Sequence, residues 1–273
     1  MKTEVFYDME FIQAIILGLI QGLTEFLPVS SSGHLVLFQN LFGIKEAGQA
    51  FSIILHVATL IAVFIYYWQD IWALIRRPFQ RTTALLVAGT LPTVVIALLF
   101  NDTFNEIFGQ GKYIGFNFLF TGCILLFADS RIAGKKKVKN MSVFDALVVG
   151  TMQGVAILPA VSRSGMTIST CLARGMTRED AARFSFLLSI PAILGGMVLT
   201  IKDIVTGEVV LADAMGSAPM TCGFIAAAVS GYLAIRFMVD VIKKGKLKWF
   251  SVYVFILGAV LILDQFVLHM IVK

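Results

Sequence analysis

The chain reads as an all-α polytopic membrane protein made of two inverted repeats, each a broken, re-entrant helix pair plus three transmembrane helices. Three observations predict this: the composition, six long apolar runs, and one motif written twice. Hydrophobic residues make up 58% of the 273 and charged residues only 14%, with a mean hydropathy of +0.86. Soluble domains carry about a quarter charged residues, so composition excludes an ordinary soluble fold.

The apolar runs cover residues 50–68, 82–100, 112–130, 183–201, 219–238 and 250–270. Each is close to the ~20 residues that a helix needs to cross hydrocarbon. They are continuously apolar and lack the alternation of a barrel strand. The N-terminus, MKTEVFYDME, is mixed in charge and leads into a polar motif instead of a small-residue cleavage site, so no cleavable signal peptide is expected. Cys123, Cys171 and Cys222 lie in or beside apolar segments without CxxC spacing and read as buried thiols.

The repeat is visible by eye. QGLTEFLPVSSSG, Gln21 to Gly33, returns as QGVAILPAVSRSG, Gln153 to Gly165. Upstream, Ala14 and Gly18 correspond to Ala146 and Gly150; downstream, Phe51-Ser52 correspond to Phe184-Ser185, and Asp70 to Asp203. One membrane domain therefore contains two repeats, about 1–137 and 138–273. Three full crossings per repeat force the second copy upside down. The net charge of +5 has an address under this scheme. Basic residues favour the cytoplasmic side, which puts RRPFQR (76–81) and the lysine clusters at 135–139 and 243–248 inside. The loops around Asp102–Glu106 and Lys202–Asp213 then face outward, as do both termini. Inverted repeats with broken helices are also common in transporters, so architecture alone does not disclose function.

The polar motifs carry the chemistry. Gln21 and Glu25 are four apart and share one helix face. Pro28 should break that helix, and Ser30, Ser31 and Ser32, followed by Gly33 and His34, supply a helix start. The second copy repeats the design with Pro159, then Ser162, Arg163, Ser164, Gly165 and, one turn on, Thr167. Two half-helix N-termini converging from opposite leaflets would aim N–H groups at an anion, and Arg163 can offer a planar, permanently charged fork to phosphate.

Each residue also has a duller reading. Glu25 in an apolar stretch is costly unless paired or solvated, which makes function the default reading. Arg163 could simply pair with Glu25 or cap helices. Serine clusters commonly cap helices or bond back to the chain. A lone histidine is usually a satisfied core residue, but His34, three residues after Ser31, is placed to act on a hydroxyl. His56 has no acidic neighbour in sequence and reads as packing. Arg236 reads as snorkelling, His269 as interfacial, and Arg174, Arg178 and Arg183 as topology.

GLTEFLPVSSSGH and LPAVSRSGMTIS resemble the two signature motifs of the undecaprenyl-diphosphate phosphatase family of the bacitracin-resistance type. The resemblance covers length, repeat, segment order and both motifs. It implies hydrolysis of a polyprenyl diphosphate, undecaprenyl diphosphate, to the monophosphate at the outer face of the cell (inner) membrane, which recycles the carrier for peptidoglycan synthesis and gives bacitracin resistance. It places the acidic pair at Gln21 and Glu25, the nucleophile and its helper at Ser31 and His34, and the phosphate-binding arginine at Arg163. Ser30, Ser32, Gly33, Ser162, Ser164, Gly165 and Thr167 join Gln21 as expected phosphate contacts. A divalent cation, Mg or Ca, is implied, with Glu25 as its ligand. Gln21 departs from the family, where many members carry Glu; an amide is neither a base nor an anionic ligand, so Glu25 must carry any such role.

Phosphoryl transfer asks mainly for positioning and charge neutralisation. Ser31, His34 or an activated water could each attack; the residues do not choose. Two non-enzymatic classes compete, a transporter or flippase of prenyl phosphates and an assembly protein with a degenerate site. A transporter needs anion binding but no nucleophile, so Ser31, His34 and Glu25 together favour the enzyme. The expected partners are the polyprenyl diphosphate and membrane lipids, with no nucleic acid; a homo-oligomer is left open.

Overall fold

The computed structural model describes residues 2–43, 48–100, 103–104, 113–131, 134–206 and 217–268. Among them the chain is helical, with one isolated bridge between Lys136 and Met176 and no strand. His269 and the loops at Asp102–Glu106 and Lys202–Asp213 fall largely or wholly outside the described residues, as does the side chain of Asp203. The expected apolar segments are helices, and the chain is a multi-pass membrane protein.

In the first half, α1 (Lys2–Phe26) breaks into α2 (Ser31–Phe42). Then come α3 (Gly48–Tyr66), α4 (Trp68–Arg76), α5 (Arg81–Leu99) and α6 (Ile114–Asp129). The second half follows the same order: α7 (Val143–Val155) breaks into α8 (Arg163–Ala173), and α9 (Arg178–Val205), α10 (Ser217–Lys243) and α11 (Lys248–Leu263) complete it. Among the described residues four stretches are long and apolar enough to span a bilayer alone: Arg81–Leu99, Arg178–Lys202, Ala218–Lys243 and Lys248–Val267. A fifth, α3 with α4, is bent by 82°. The sequence did not announce that bend, for neither proline nor glycine stands at Tyr67. The run expected at 112–130 is shorter, 16 residues of helix.

The halves pack by exchange. The first broken helix, α1, lies along α10 of the other half, and its counterpart α7 lies along α5 of the first. The third spans, α6 and α11, pair with each other. At both exchanged contacts backbone meets backbone: Gly18 presses on Gly223, and its repeat partner Gly150 presses on Gly89, where any Cβ would collide with a carbonyl. Small residues at helix contacts are how membrane helices approach without a hydrophobic drive between them. This reciprocal pairing fits two repeats related by a two-fold axis. Large apolar residues turn outward instead, as in the exposed stripe Val87, Leu91, Val95 and Leu98 along α5.

At the basic end, the carboxylate of Asp145 is 1% exposed. It closes a capping box with Ser142 at the start of α7 and binds Lys136 Nζ at 2.9 Å and Arg174 Nε at 2.6 Å. The linker between the halves is thereby tied to both arms of the second broken pair.

Candidate active site

Both breaks form for local reasons. Pro28 and Pro159 stand where a continuing helix would need a donor, and the chain turns through two non-glycine residues of positive φ, Ser30 at 68° and Ala160 at 62°. Such conformations are uncommon and need surrounding support. The support is mutual. Ser32 Oγ accepts from the Ala160 N–H at 3.3 Å, Ser30 Oγ donates to the Val161 carbonyl at 3.4 Å, and Ser164 Oγ donates to the Leu27 carbonyl at 3.1 Å. From α6, Asn117 donates to the Pro159 carbonyl at 2.7 Å and Thr121 to the Ala160 carbonyl at 3.3 Å. The carbonyls of Leu27, Pro159, Ala160 and Val161 and the N–H of Ala160 are thus satisfied by the other break and by α6, as a low-dielectric interior demands. Ser30 and Ser162 cap the restarted helices by accepting from Gly33 N and Gly165 N.

This stitching brings residues 31 and 163, equivalent in the two repeats, to the same carboxylate. Glu25 Oε1 accepts from Arg163 Nη2 at 2.6 Å. Glu25 Oε2 accepts from Ser31 Oγ at 2.6 Å and from Gln21 Nε2 at 3.0 Å. Arg163 Nη1 is buried with no partner. Burying a guanidinium nitrogen unpaired is costly, and among the described residues this donor has no partner beside the cavity that Arg163 lines. Glu25, Ser30, Ser31, Ser32, Ser162 and Arg163 all line one cavity of about 300 Å³. The rest of the lining, much of it from α3 and α9, is apolar apart from Thr24, His56 and Thr200.

Other expected site residues stand behind this cavity. Gln21 supports Glu25 from the preceding turn. Thr167 Oγ1 bonds the Arg163 carbonyl at 2.9 Å and Ser185 Oγ at 2.6 Å, which steadies the first turn of α8. Gly33 and Gly165 contribute their N–H groups to the caps. His34 is placed differently from its expected role beside Ser31: it does not line the cavity. Its Nδ1 lies 2.7 Å from the Ser30 carbonyl and its Nε2 lies 2.7 Å from Tyr253 Oη, with the ring stacked on Tyr253 and edge-on to Phe118. Helical side chains lean towards the N-terminus, and α11 offers this ring both a stacking face and a hydroxyl. His56, read from sequence as packing, goes the other way. Its Nε2 lies 3.5 Å from Glu25 Oε2 at the cavity wall, and its Nδ1 lies 2.7 Å from the Ser52 carbonyl. No local signal could reveal it, because the carboxylate it faces is on a different helix.

Among the described residues no three His, Cys, Asp or Glu side chains form a metal-holding group. The cavity nevertheless offers Glu25, and behind it the Gln21 carbonyl oxygen, which is buried without a partner. A small hard cation commonly binds through one or two carboxylates plus substrate phosphates. Glu25 is the one carboxylate among the residues that line the cavity, and its two oxygens accept from Arg163, Ser31 and Gln21.

Residues 14–260 match the family model of bacitracin resistance protein BacA. The chain belongs to that family. It is 50% identical over 257 residues to an undecaprenyl-diphosphatase of Carboxydothermus hydrogenoformans, covering 94% of this chain and 98% of that one. It is 46% identical over 258 residues to undecaprenyl-diphosphatase 3 of Bacillus cereus, with the same coverage of each chain. An undecaprenyl-diphosphatase of Halothermothrix orenii is 41% identical across 93% of this chain. The Arg163, Glu25 and Ser31 cluster therefore sits in a chain similar, almost end to end, to proteins named as phosphatases of a lipid diphosphate.

Proposed function

We propose that this chain is an undecaprenyl-diphosphate phosphatase, releasing inorganic phosphate and the lipid monophosphate, recycling the carrier for peptidoglycan synthesis and giving bacitracin resistance. One observation carries the mechanism: Ser31 Oγ already donates to Glu25 at 2.6 Å, while Arg163, fixed by the same carboxylate, keeps a buried donor unpaired. Arg163 Nη1 and the first N–H groups of α2 and α8 bind the terminal phosphate. Ser31 Oγ attacks its phosphorus and passes its proton to Glu25 Oε2. The bridging P–O bond breaks, its electron pair leaving with the prenyl monophosphate. Water then attacks the phosphoserine, Glu25 returns its proton to Ser31 Oγ, and inorganic phosphate leaves.

A divalent cation, if bound, would be held by Glu25 together with substrate oxygens and would neutralise diphosphate charge. The site opens to the exterior of the cell membrane, with the repeats inverted and the basic loops inside; the charge distribution supports that orientation. A transporter of prenyl phosphates needs no hydroxyl poised on a carboxylate, and this geometry does not favour it.

The test is phosphate release from purified, detergent-solubilised protein given undecaprenyl diphosphate. Turnover is expected. Protein that binds the lipid diphosphate but releases no phosphate would sink the phosphatase reading.

A further inference from the structure

Helices α3 and α9 are joined at one end and parted at the other. At the joined end Asp70, on α4 just past the bend, pairs with Arg183, and Tyr67, at the bend itself, packs on Phe186 with ring centroids 6.2 Å apart. Ten to fourteen residues before Tyr67 the cavity intervenes: Val57 and Ile53 face it from α3, and Ile193, Gly196, Met197 and Thr200 from α9. The wedge therefore opens away from the Asp70 end, and its mouth leads directly from Glu25 and Arg163.

Gly196 is the residue without an internal reason. Glycine is among the poorest residues in a helix interior, and it is commonly kept where backbones touch. That account holds for Gly18 and Gly150. At Gly196 a Cβ would meet no heavy atom within 4 Å, and the same is true of Gly195. Among the described residues nothing fills this clearance, and it lies on the cavity wall.

We propose that the prenyl tail of the substrate leaves the site between α3 and α9, with its first isoprene units held by Ile53, Val57, Ile193 and Met197, and that Gly196 sets the width of this passage. The assignment of a prenyl tail rests on the phosphatase reading; a branched, apolar chain attached to an anionic head matches a cavity lined by Arg163, Glu25 and serine hydroxyls at one end and apolar at the other. A side chain at residue 196 narrows the passage at the branch methyls.

The experiment is photolabelling of the full-length protein in detergent with a farnesyl diphosphate analogue that carries a diazirine on its first isoprene unit. Label competed by unlabelled farnesyl diphosphate is expected in peptides spanning 51–57 and 192–200. Competed label confined to α4–α5 or to α10–α11, or no competed label anywhere, overturns the passage. Gly196→Leu should lose this label and lower kcat/KM for farnesyl diphosphate by about tenfold or more, the scale on which a few methylenes discriminate in an apolar pocket. Leucine is a far better helix former than glycine, so this variant keeps its fold. Val198→Leu, on the exposed face of the same helix, should stay within about twofold, as surface changes do. Gly196→Leu with wild-type labelling and efficiency overturns the proposal. Competed label between α3 and α9 without any phosphate release leaves the passage standing and removes the phosphatase reading instead.

Discussion

Glu25 and Arg163 meet at 2.6 Å across 138 residues of chain, one at the end of α1 and the other at the first residue of α8. The carboxylate side chain is 6% exposed and the guanidinium 16%. Neither charge is tolerable there alone, since removing one partner of a buried pair leaves the other uncompensated. The pair therefore locks the two repeats together and, through the same carboxylate, orients Ser31. Structure and chemistry share one contact, and variants must be chosen to separate them.

Arg163→Lys is the first such variant. It preserves charge against Glu25 but loses the fork that lets one nitrogen hold the carboxylate while another faces phosphate. Activity should fall roughly a hundredfold, the scale for losing one preorganised donor to a developing anion. Protein should still accumulate in membranes. Phosphate release with quantified membrane protein checks it; near-normal turnover would leave Arg163 as a structural cap.

Glu25→Gln keeps shape and removes the proton acceptor. Turnover should drop by about two to four orders of magnitude, the usual contribution of a positioned base. Gln21→Glu should be tolerated and should change the response to added Mg or Ca, because it places a second carboxylate beside the first. Cation titrations of both variants read this out. A Glu25→Gln protein at the wild-type rate would remove Glu25 as base and as ligand together.

His34 yields a prediction that sequence alone would have inverted. Its ring nitrogens are committed to Ser30 O and Tyr253 Oη, so its loss should be felt first as stability. His34→Ala should lower the thermal midpoint in detergent, and Tyr253→Phe should lower it too, by a stability loss of about 1 kcal/mol, the net worth of one hydrogen bond. Tyr253→Phe should retain turnover within about tenfold of wild type. If Tyr253→Phe leaves the midpoint unchanged but removes catalysis, His34 works in the reaction and not in the α2–α11 contact.

Much of this was legible before folding was considered, and the reasons are physical. Apolar length forces helices in a bilayer, and a proline followed by serines forces a break and a restart, so α1–α2 and α7–α8 follow from residues adjacent in the chain. The pairing of Glu25 with Arg163 entered the sequence reading only as the duller alternative to a phosphate-binding arginine, and the contact at 2.6 Å is there. His56 and His34 were misplaced because each is decided by a distant residue: His56 by Glu25 on another helix, His34 by Tyr253 at a separation of 219 residues. The bend at Tyr67 was likewise invisible, for it arises where α3 stops and the Asp70–Arg183 contact takes over, with no proline or glycine to mark it.

The inverted arrangement is tested from outside the cell. Cysteines introduced beside Lys136 and Lys244 should resist a membrane-impermeant thiol reagent in intact cells, and one beside Asp102 should react. Lys136 is bonded to Asp145 at 2.9 Å, so the substitutions belong at neighbouring positions. External labelling beside Lys136 would overturn the orientation given by the basic loops.

Ser31 separates chemistry from binding. Its hydroxyl is 2.6 Å from Glu25 Oε2 and begins α2, where helix N–H groups also face the cavity. As a nucleophile its removal should cost several orders of magnitude in rate; as one neutral hydrogen bond among several it should cost only about 0.5–1.5 kcal/mol, roughly tenfold at most. Ser31→Ala should therefore fall more than about a hundredfold in turnover while binding of a non-hydrolysable prenyl methylenediphosphonate changes little. Ser30→Ala, which removes a cap and a stitch to Val161 instead, should lower stability by about 0.5–2 kcal/mol and spare most of the rate. Brief turnover followed by acid quench should trap phosphate on the peptide containing Ser31 in wild type and not in Ser31→Ala. A Ser31→Ala protein within about tenfold of wild type would hand the attack to water, with Glu25 still the base.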